Sequence, residues 1–531
     1  MLGSGTAAAR RPEAAGPSPP DLATPAPAAG PPWRDRLVRL APGAVPGMVM
    51  LLLGLLGAHR PVLSWDEVTT ADVARRSPAE IWQLMQNVDA VFGSYYYFMH
   101  GWTRVAGVSE LDLRLPSIVA MAAAVAAAGE LGRRLFDPLV GTMTGLFLCV
   151  LPNTSRYAAE ARPYAFACLM SALALLALVA AIERGQPLRW AGYGLTVLLL
   201  GLGHIVALAT LGAHVAMVVI RLRREWSRRI LADWAATLAI ALALLAPLAL
   251  LGIRQQDTQL AWVDPVTVTG LGAAPGLVAG SVPTAWLMVG LALLAHWRPA
   301  SAMVPVALLA VVPVTVIAAV SVLFTPMWVP RYLLVVLVPL AMLAAVTVVG
   351  QLRADGCSGA GEPGGPRRRA VCRARGVQAL RLIVVLVVLA GTAFPGQRGV
   401  RALTAKNGPD YRRIAAIVQR HQLPGDGMVF EVRSRAMRAG MEYYLHRHRT
   451  FPRDLLQRRP AAEAGWLMAE EHPDAAARVT GVRRVWLLVG GPRRDPAAGR
   501  PDLRPLFQRR YERIGIWQVS RGTVALYRYR G

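Results

Sequence analysis

Two adjacent carboxylates, Asp66 and Glu67, stand in the segment HRPVLSWDEVTTADVARRS. A carboxylate held beside an apolar stretch can take the proton of a hydroxyl and turn its oxygen into a nucleophile. The same pair can instead open a helix near Thr69, because Asp and Glu favour first helical turns. Further ionisable and aromatic groups follow: Arg114 in SELDLRLPSIVA, Glu160, Arg162 and Tyr164 in RYAAEARPYAF, His204 after Gly203, and Arg331 with Tyr332 in PRY. Such arginines either grip an anion such as a phosphate through their planar fork, or snorkel as anchors at the ends of membrane spans. His204 and His100 are either site residues or turn and core residues bonded to backbone. Tyr96 and its neighbours in SYYYFMHGW are either belt aromatics or sugar contacts. The stretch RQQDTQLAWVDP places Asp257, Trp262 and Asp264 in either a hydrated loop or a substrate contact, and Asn153-Thr154-Ser155 has the form of a glycosylation acceptor.

These groups need elements to carry them. Of 531 residues, 54% are hydrophobic and only 17% charged, too little charge to cover a soluble protein of this length. Apolar runs lie near 43–58, 113–131, 139–153, 163–182, 190–202, 204–220, 231–252, 281–296, 302–323, 331–350 and 380–395, about eleven transmembrane helices. The expected fold is therefore a polytopic α-helical membrane protein. Bases outnumber acids 58 to 32, yet Lys406 is the only lysine, so the excess is an arginine bias. It implies anionic membrane lipids as partners and, with no RNA- or DNA-binding motif in view, no nucleic acid. Cys149 and Cys168 fall in apolar runs, and Cys357 and Cys372 flank a basic loop, which gives no structural metal site.

Residues 1–40 are Pro- and Ala-rich and read as a disordered cytoplasmic tail. With that end inside, the basic connections at Arg133-Arg134, 183–189, 221–229, 296–298 and 367–375 all fall on the cytoplasmic side. This requires residues 190–220 to cross twice, with a turn near Gly201 and Gly203. The transmembrane region is then 41–395. Three segments face outward: 59–112, 253–280 and everything after about 396. In the first, IWQLM and YYYFMHGW suit helices lying in the interface. In 396–531, DYRRIAAIVQRH is amphipathic, GMVFEV and RVWLLVG read as buried strands, and IGIWQVS and TVALYRY read as a hairpin turning at Arg521-Gly522. The pattern predicts an extracytoplasmic α/β domain.

The order Trp65-Asp66-Glu67, then Tyr95-Tyr96-x-x-Met99-His100, Arg114-Leu-Pro-Ser, Ala161-Arg-Pro-Tyr, Gly203-His204 and Pro330-Arg-Tyr resembles the GT-C glycosyltransferase superfamily. Within it, the pattern is most similar to the protein O-mannosyltransferase and aminoarabinose transferase relatives and to actinobacterial mannosyltransferase-like proteins. The resemblance implies a bacterial plasma-membrane enzyme that moves a sugar, mannose first among candidates, from a polyprenyl-phosphate donor with inversion. The acceptor is a hydroxyl of a protein, glycolipid or wall polymer. It also implies Asp66, then Glu67, as catalytic base, and Arg162 and Arg331 on the donor phosphate with support from His204 and Tyr332. Tyr96, His100, Arg114 and Tyr164 are the implied substrate contacts. No cofactor is required, and a divalent metal at the paired acids is neither demanded nor excluded. A transporter of lipid-linked glycans would show internal repeats and matched broken helices, and no convincing repeat is present. A non-catalytic scaffold presenting the outer domain predicts that Asp66 is replaceable.

Overall fold

The computed structural model describes residues 32–531 except 298, 359–366, 433 and 446–450. The expected tail lies outside the described residues as far as 31; from Pro32 the chain is already helical, in α1 (Pro32–Leu55). Every apolar run in the sequence falls on a helix. After α1 these are α5 (Glu110–Leu135), α6 (Pro138–Val150), α8 (Tyr164–Arg184), α9 (Pro187–Gly203), α10 (Leu211–Arg224), α11 (Arg228–Gln259), the pair α12 (Val268–Ala279) and α13 (Val282–Leu293), α14 (Ala300–Leu323), α15 (Leu337–Ser358) and α16 (Arg367–Gly399). Among the described residues seven helices are long and apolar enough to cross a membrane, or eight with α12 and α13 counted as one bent span, so the chain is a multi-pass membrane protein. The count is lower than eleven because α1 and α6 are short in their apolar parts and α9 has only 17 residues.

Three local features shape the bundle. Small residues bring α1, α5 and α6 into backbone contact: a Cβ on Gly129 would run into the Pro42 carbonyl oxygen, and one on Gly141 into that of Gly129. The chain breaks at His204, between α9 and the 3-10 turn Ile205–Thr210. Finally, α12 and α13 meet at 96°. Gly280 supplies the left-handed conformation there, with φ +83°. The Asn153 side chain donates to the carbonyls of Leu277 (2.7 Å) and Val278 (3.0 Å), which holds the break in place. Asn153 is buried, so its sequon is closed to modification.

The loop 59–112 is helical: α2 (Trp65–Arg75), α3 (Pro78–Asn87) and α4 (Gly93–Ala106). A further short helix, α7 (Pro152–Ala158), leads into α8. The 367–375 stretch, read as a connection, forms the first turns of α16.

The C-terminal region opens with α17 (Tyr411–His421) and continues through β1 (Gly427–Phe430), α18 (Arg435–Leu445), β2 (Arg453–Asp454), β3 (Gln457–Arg459), β4 (Glu470–Glu471), β5 (Arg484–Gly490), β6 (Tyr511–Val519) and β7 (Gly522–Tyr529). Its main sheet has the order β2-β1-β5-β7-β6, with β2, β1 and β5 parallel and the β6–β7 hairpin antiparallel. β5 is buried through its middle by residues from both faces. One apolar core joins Val68, Val73 and Tyr96 of the loop helices to Tyr411, Met441 and Trp486, so the sheet region is welded to α2 and α4.

Candidate active site

Helix α2 begins with a capping box: the Glu67 amide donates to Ser64 Oγ (3.1 Å) and the Ser64 amide to Glu67 Oε2 (2.9 Å). The cap therefore belongs to Glu67, and its neighbour Asp66 is left free of that task. Glu67 Oε1 also accepts from Arg114 Nε (2.8 Å), Lys406 Nζ (2.7 Å) and the Ala161 amide (3.1 Å), and Oε2 accepts from Arg114 Nη2 (3.1 Å). Burial would raise the Glu67 pKa, but the charges and hydrogen bonds of Arg114 and Lys406 hold it well below the usual carboxylate range. A fully buried carboxylate whose lone pairs are all engaged cannot take a substrate proton. This revises the second candidate base: Glu67 is a structural anchor. It also means the paired acids do not fit a divalent ion, since Glu67 has no oxygen to offer. Among the described residues no group of three His, Cys, Asp or Glu could hold a metal.

Asp66 faces a different environment. Its Oδ2 lies 3.5 Å from Arg331 Nη1, with both side chains about a quarter exposed (23% and 24%). Burial alone would push its pKa up, yet the guanidinium charges of Arg162, Arg331 and Arg435 together hold it down, so the carboxylate is ionised at neutral pH. Arg331 sits at the start of the turn Pro330–Val336, 5.1 Å from the Trp262 ring and 5.9 Å from that of Tyr164. The Tyr164 ring is 5.6 Å from His204, which is 5.1 Å from Tyr332. Arg162, buried, lies 4.1 Å from the Phe92 ring. Four polar atoms of this cluster are buried without a hydrogen-bond partner: Arg162 Nε, Arg331 Nε, Tyr164 Oη and His204 Nδ1. Orphaned buried donors are costly, about 1–3 kcal/mol each, and their concentration in one place calls for a ligand.

Six of the ten sequence candidates thus come together: Asp66, Arg162, Tyr164, His204, Arg331 and Tyr332. The other four stand behind them. Arg114, implied as a substrate contact, is fully buried; besides Glu67 it binds the carbonyls of Ala58 (2.5 Å), Pro61 (3.0 Å) and Val62 (3.3 Å), capping the end of the segment before α2. His100 Nδ1 is 3.1 Å from the Ala74 carbonyl and ties α4 to α2. Tyr96 donates to Asp89 Oδ2 (2.7 Å), and Asp89 is held in the left-handed region at φ 57°. The sequence reading missed Lys406, whose signal was its singularity, and the position of Glu160. Glu160 is buried, its Oε2 without a hydrogen bond among the described residues but 3.8 Å from Arg156 Nε; burial raises its pKa, and Lys406 opposes this. A cavity of about 550 Å³ between α9 and α11 is lined by Trp190, Arg229 and Asp233, toward the helix ends away from His204.

The geometry defines a multi-pass membrane protein with a cluster of one acid and two arginines beside aromatic residues. Residues 94–252 match the family of dolichyl-phosphate-mannose-protein mannosyltransferases. In fold the chain is similar to ArnT from Cupriavidus metallidurans in the apo state (TM-score 0.56, 13% identity, 91% of this chain and 97% of that chain). It is likewise similar to the same protein bound to undecaprenyl phosphate (TM-score 0.52, 15% identity, 91% and 97%). No curated protein matches the chain in sequence. The family match over residues 94–252 and the shared fold agree with the resemblance to the GT-C glycosyltransferase superfamily.

Proposed function

We propose that the protein is a membrane glycosyltransferase that moves a sugar, with mannose the first candidate, from a polyprenyl-phosphate donor to an acceptor hydroxyl. The observation that carries this reading is the ionised Asp66 beside Arg331, next to buried polar atoms that have no hydrogen-bond partner among the described residues. A lipid phosphate supplies what those donors lack, and ArnT has been solved with undecaprenyl phosphate bound.

In the proposed reaction Asp66 accepts the proton of the acceptor hydroxyl, whose oxygen bonds to the anomeric carbon. The bond from that carbon to the phosphate oxygen breaks, and its electron pair leaves with the polyprenyl phosphate. Arg162 and Arg331 hold the growing negative charge. Attack from the side opposite the leaving group inverts the anomeric centre. Tyr164, His204 and Tyr332 complete the wall around the phosphate and exclude water. Arrival of the phosphate at the arginines also offsets the positive charge that depresses the Asp66 pKa, so donor binding strengthens the base.

We propose that this cluster faces the extracytoplasmic side. In support, Arg133-Arg134, Arg184, Arg189 and Arg223-Arg224 all lie at helix ends remote from Asp66 in the chain order of the bundle. The 396–531 region is proposed as an extracytoplasmic acceptor-facing domain; the acceptor class is protein, glycolipid or wall polymer.

The test is transfer by the purified protein in nanodiscs from radiolabelled polyprenyl-phosphate mannose and other polyprenyl-phosphate sugars to a cell-envelope acceptor, with the product anomer read by NMR. Transfer with inversion that is lost in Asp66→Asn supports the reading. The bent α12–α13 pair is the one feature that favours a transporter of lipid-linked glycans. Movement of labelled lipid across proteoliposomes without transfer would install that reading instead.

A further inference from the structure

Of the chain's 58 basic residues, 57 are arginine and one is lysine. That lysine, Lys406, is among the most deeply buried groups of the molecule, at 1% exposure. Its Nζ donates to Glu67 Oε1 (2.7 Å) and to the Ala159 carbonyl. The site explains the departure from arginine. Arg114 already lies against both Glu67 oxygens with Nε and Nη2, and a second planar fork has no matching acceptors. A compact ammonium on a flexible stem fits where a fork does not.

The two acceptors belong to the two segments that carry the reacting groups. Glu67 adjoins Asp66, and Ala159 is three residues before Arg162. Lys406 comes from a third segment, the connector between α16 and α17. That connector is itself fixed: the Leu403 carbonyl accepts from the Val62 amide (3.2 Å) and that of Asn407 from the Trp65 amide (2.9 Å). Arg521, at the tip of the β6–β7 hairpin, donates to the Lys406 carbonyl (2.8 Å) and to Asn407 Oδ1 (3.2 Å). We infer that Lys406 is a positioning residue, which sets Asp66 and Arg162 at their working separation and makes the sheet region part of the catalytic unit.

The inference rests on the reading of Asp66 as base. The groups facing the ammonium are Glu67 from α2, Arg114 from α5, and Glu160 from the segment 152–163, with Arg156 acting on Glu160. Burial and the Arg114 charge pull the amine down to about 8, against the attraction of Glu67 and Glu160. Transfer should therefore fall as pH rises past about 8, when the ammonium loses its proton and its hold on Glu67.

The experiment compares wild type, Lys406→Met, the double variant Glu67→Gln with Lys406→Met, and Asp66→Asn in nanodiscs, reading kcat, donor KM and the pH profile of transfer. Lys406 is also the chain's only ε-amine, so reductive methylation followed by peptide mass spectrometry reports on this one site. Expected are methylation at least about tenfold slower in the native protein than after denaturation, and a fall in kcat of about 100-fold in Lys406→Met, larger than any change in donor KM. The double variant should recover about tenfold, because a neutral amide in place of the Glu67 carboxylate needs no ammonium. The alkaline fall of the wild type should be absent from Lys406→Met. Wild-type kcat and pH profile in Lys406→Met, with Asp66→Asn inactive, would overturn the positioning role and leave the function standing. Recovery in the double variant guards against simple misfolding: a fold defect in Lys406→Met that persists there, with no recovery of kcat, counts against the proposal. Wild type inactive with every donor overturns both.

Discussion

Replacing Asp66 by Asn should move catalysis and binding in opposite directions. The change keeps shape and removes one negative charge. As the general base is lost, transfer should fall about 10²- to 10⁴-fold. Binding should improve, because Asp66 Oδ2 competes for Arg331 from 3.5 Å away. A lipid phosphate on the same guanidinium would lie about 6 Å from the carboxylate, where two like unit charges at an effective dielectric of about 20 repel by about 3 kcal/mol. Both side chains are about a quarter exposed (23% and 24%), and solvent screening brings this to about 1.5 kcal/mol, or about tenfold in affinity. The assay is paired: single-turnover transfer from a labelled polyprenyl-phosphate sugar, and equilibrium binding of polyprenyl phosphate to the same nanodisc preparation. Tighter binding with lost transfer is the expected pattern. Weaker or unchanged binding would refute the placement of the phosphate beside Asp66, whatever happened to transfer.

Arg162→Ala should weaken polyprenyl phosphate binding by about 30- to 1000-fold, corresponding to about 2–4 kcal/mol, with Arg162→Lys intermediate because it keeps charge without the fork; titration calorimetry in nanodiscs decides. Glu67 has a lowered folded pKa, so its contribution to stability is fully present above the ordinary glutamate value of about 4.3 and is lost as pH falls below it. The wild type should accordingly lose thermal stability on acidification below about pH 4, and Glu67→Gln should be less stable at pH 7 and lack that acid-dependent part, by melting in detergent. Gly129→Val must push Cβ into the Pro42 carbonyl; a cost of about 1–3 kcal/mol is expected, seen as a lower melting temperature with the site chemistry untouched.

What the sequence disclosed was the material that local pattern controls. Long apolar runs became helices, and alternating or continuous apolar strands at 427–430, 484–490 and 511–529 became the sheet. The order of motifs singled out Asp66, Arg162, Arg331 and His204 as candidates, and the structure brings them together. It could not divide the labour between Asp66 and Glu67, since adjacent acids at the start of a helix are equivalent until the partners are known. Those partners are distant: Arg114 is 47 residues away and Lys406 is 339. The bend at Gly280 was equally hidden: 253–280 reads as an outer segment with the apolar run starting at 281, and the fold of the chain there depends on Asn153 from another segment. The short strands β2, β3 and β4 have two or three residues each, too few for any period to register.

The connector that carries Lys406 also has a chronological meaning. Ribosomes deliver residues in order, and domains generally fold as they emerge. Asp66, Arg114 and Arg162 are made early; the ammonium that joins their segments, and the Arg521 that steadies it, come only after the last apolar helix. A chain interrupted before residue 406 can hold its donor-facing arginines and its base, but not the bolt between them. Completion of synthesis is thus a condition for an assembled site, so that, on the proposed function, a prematurely terminated chain left in the bilayer is expected to transfer far more slowly than the full chain.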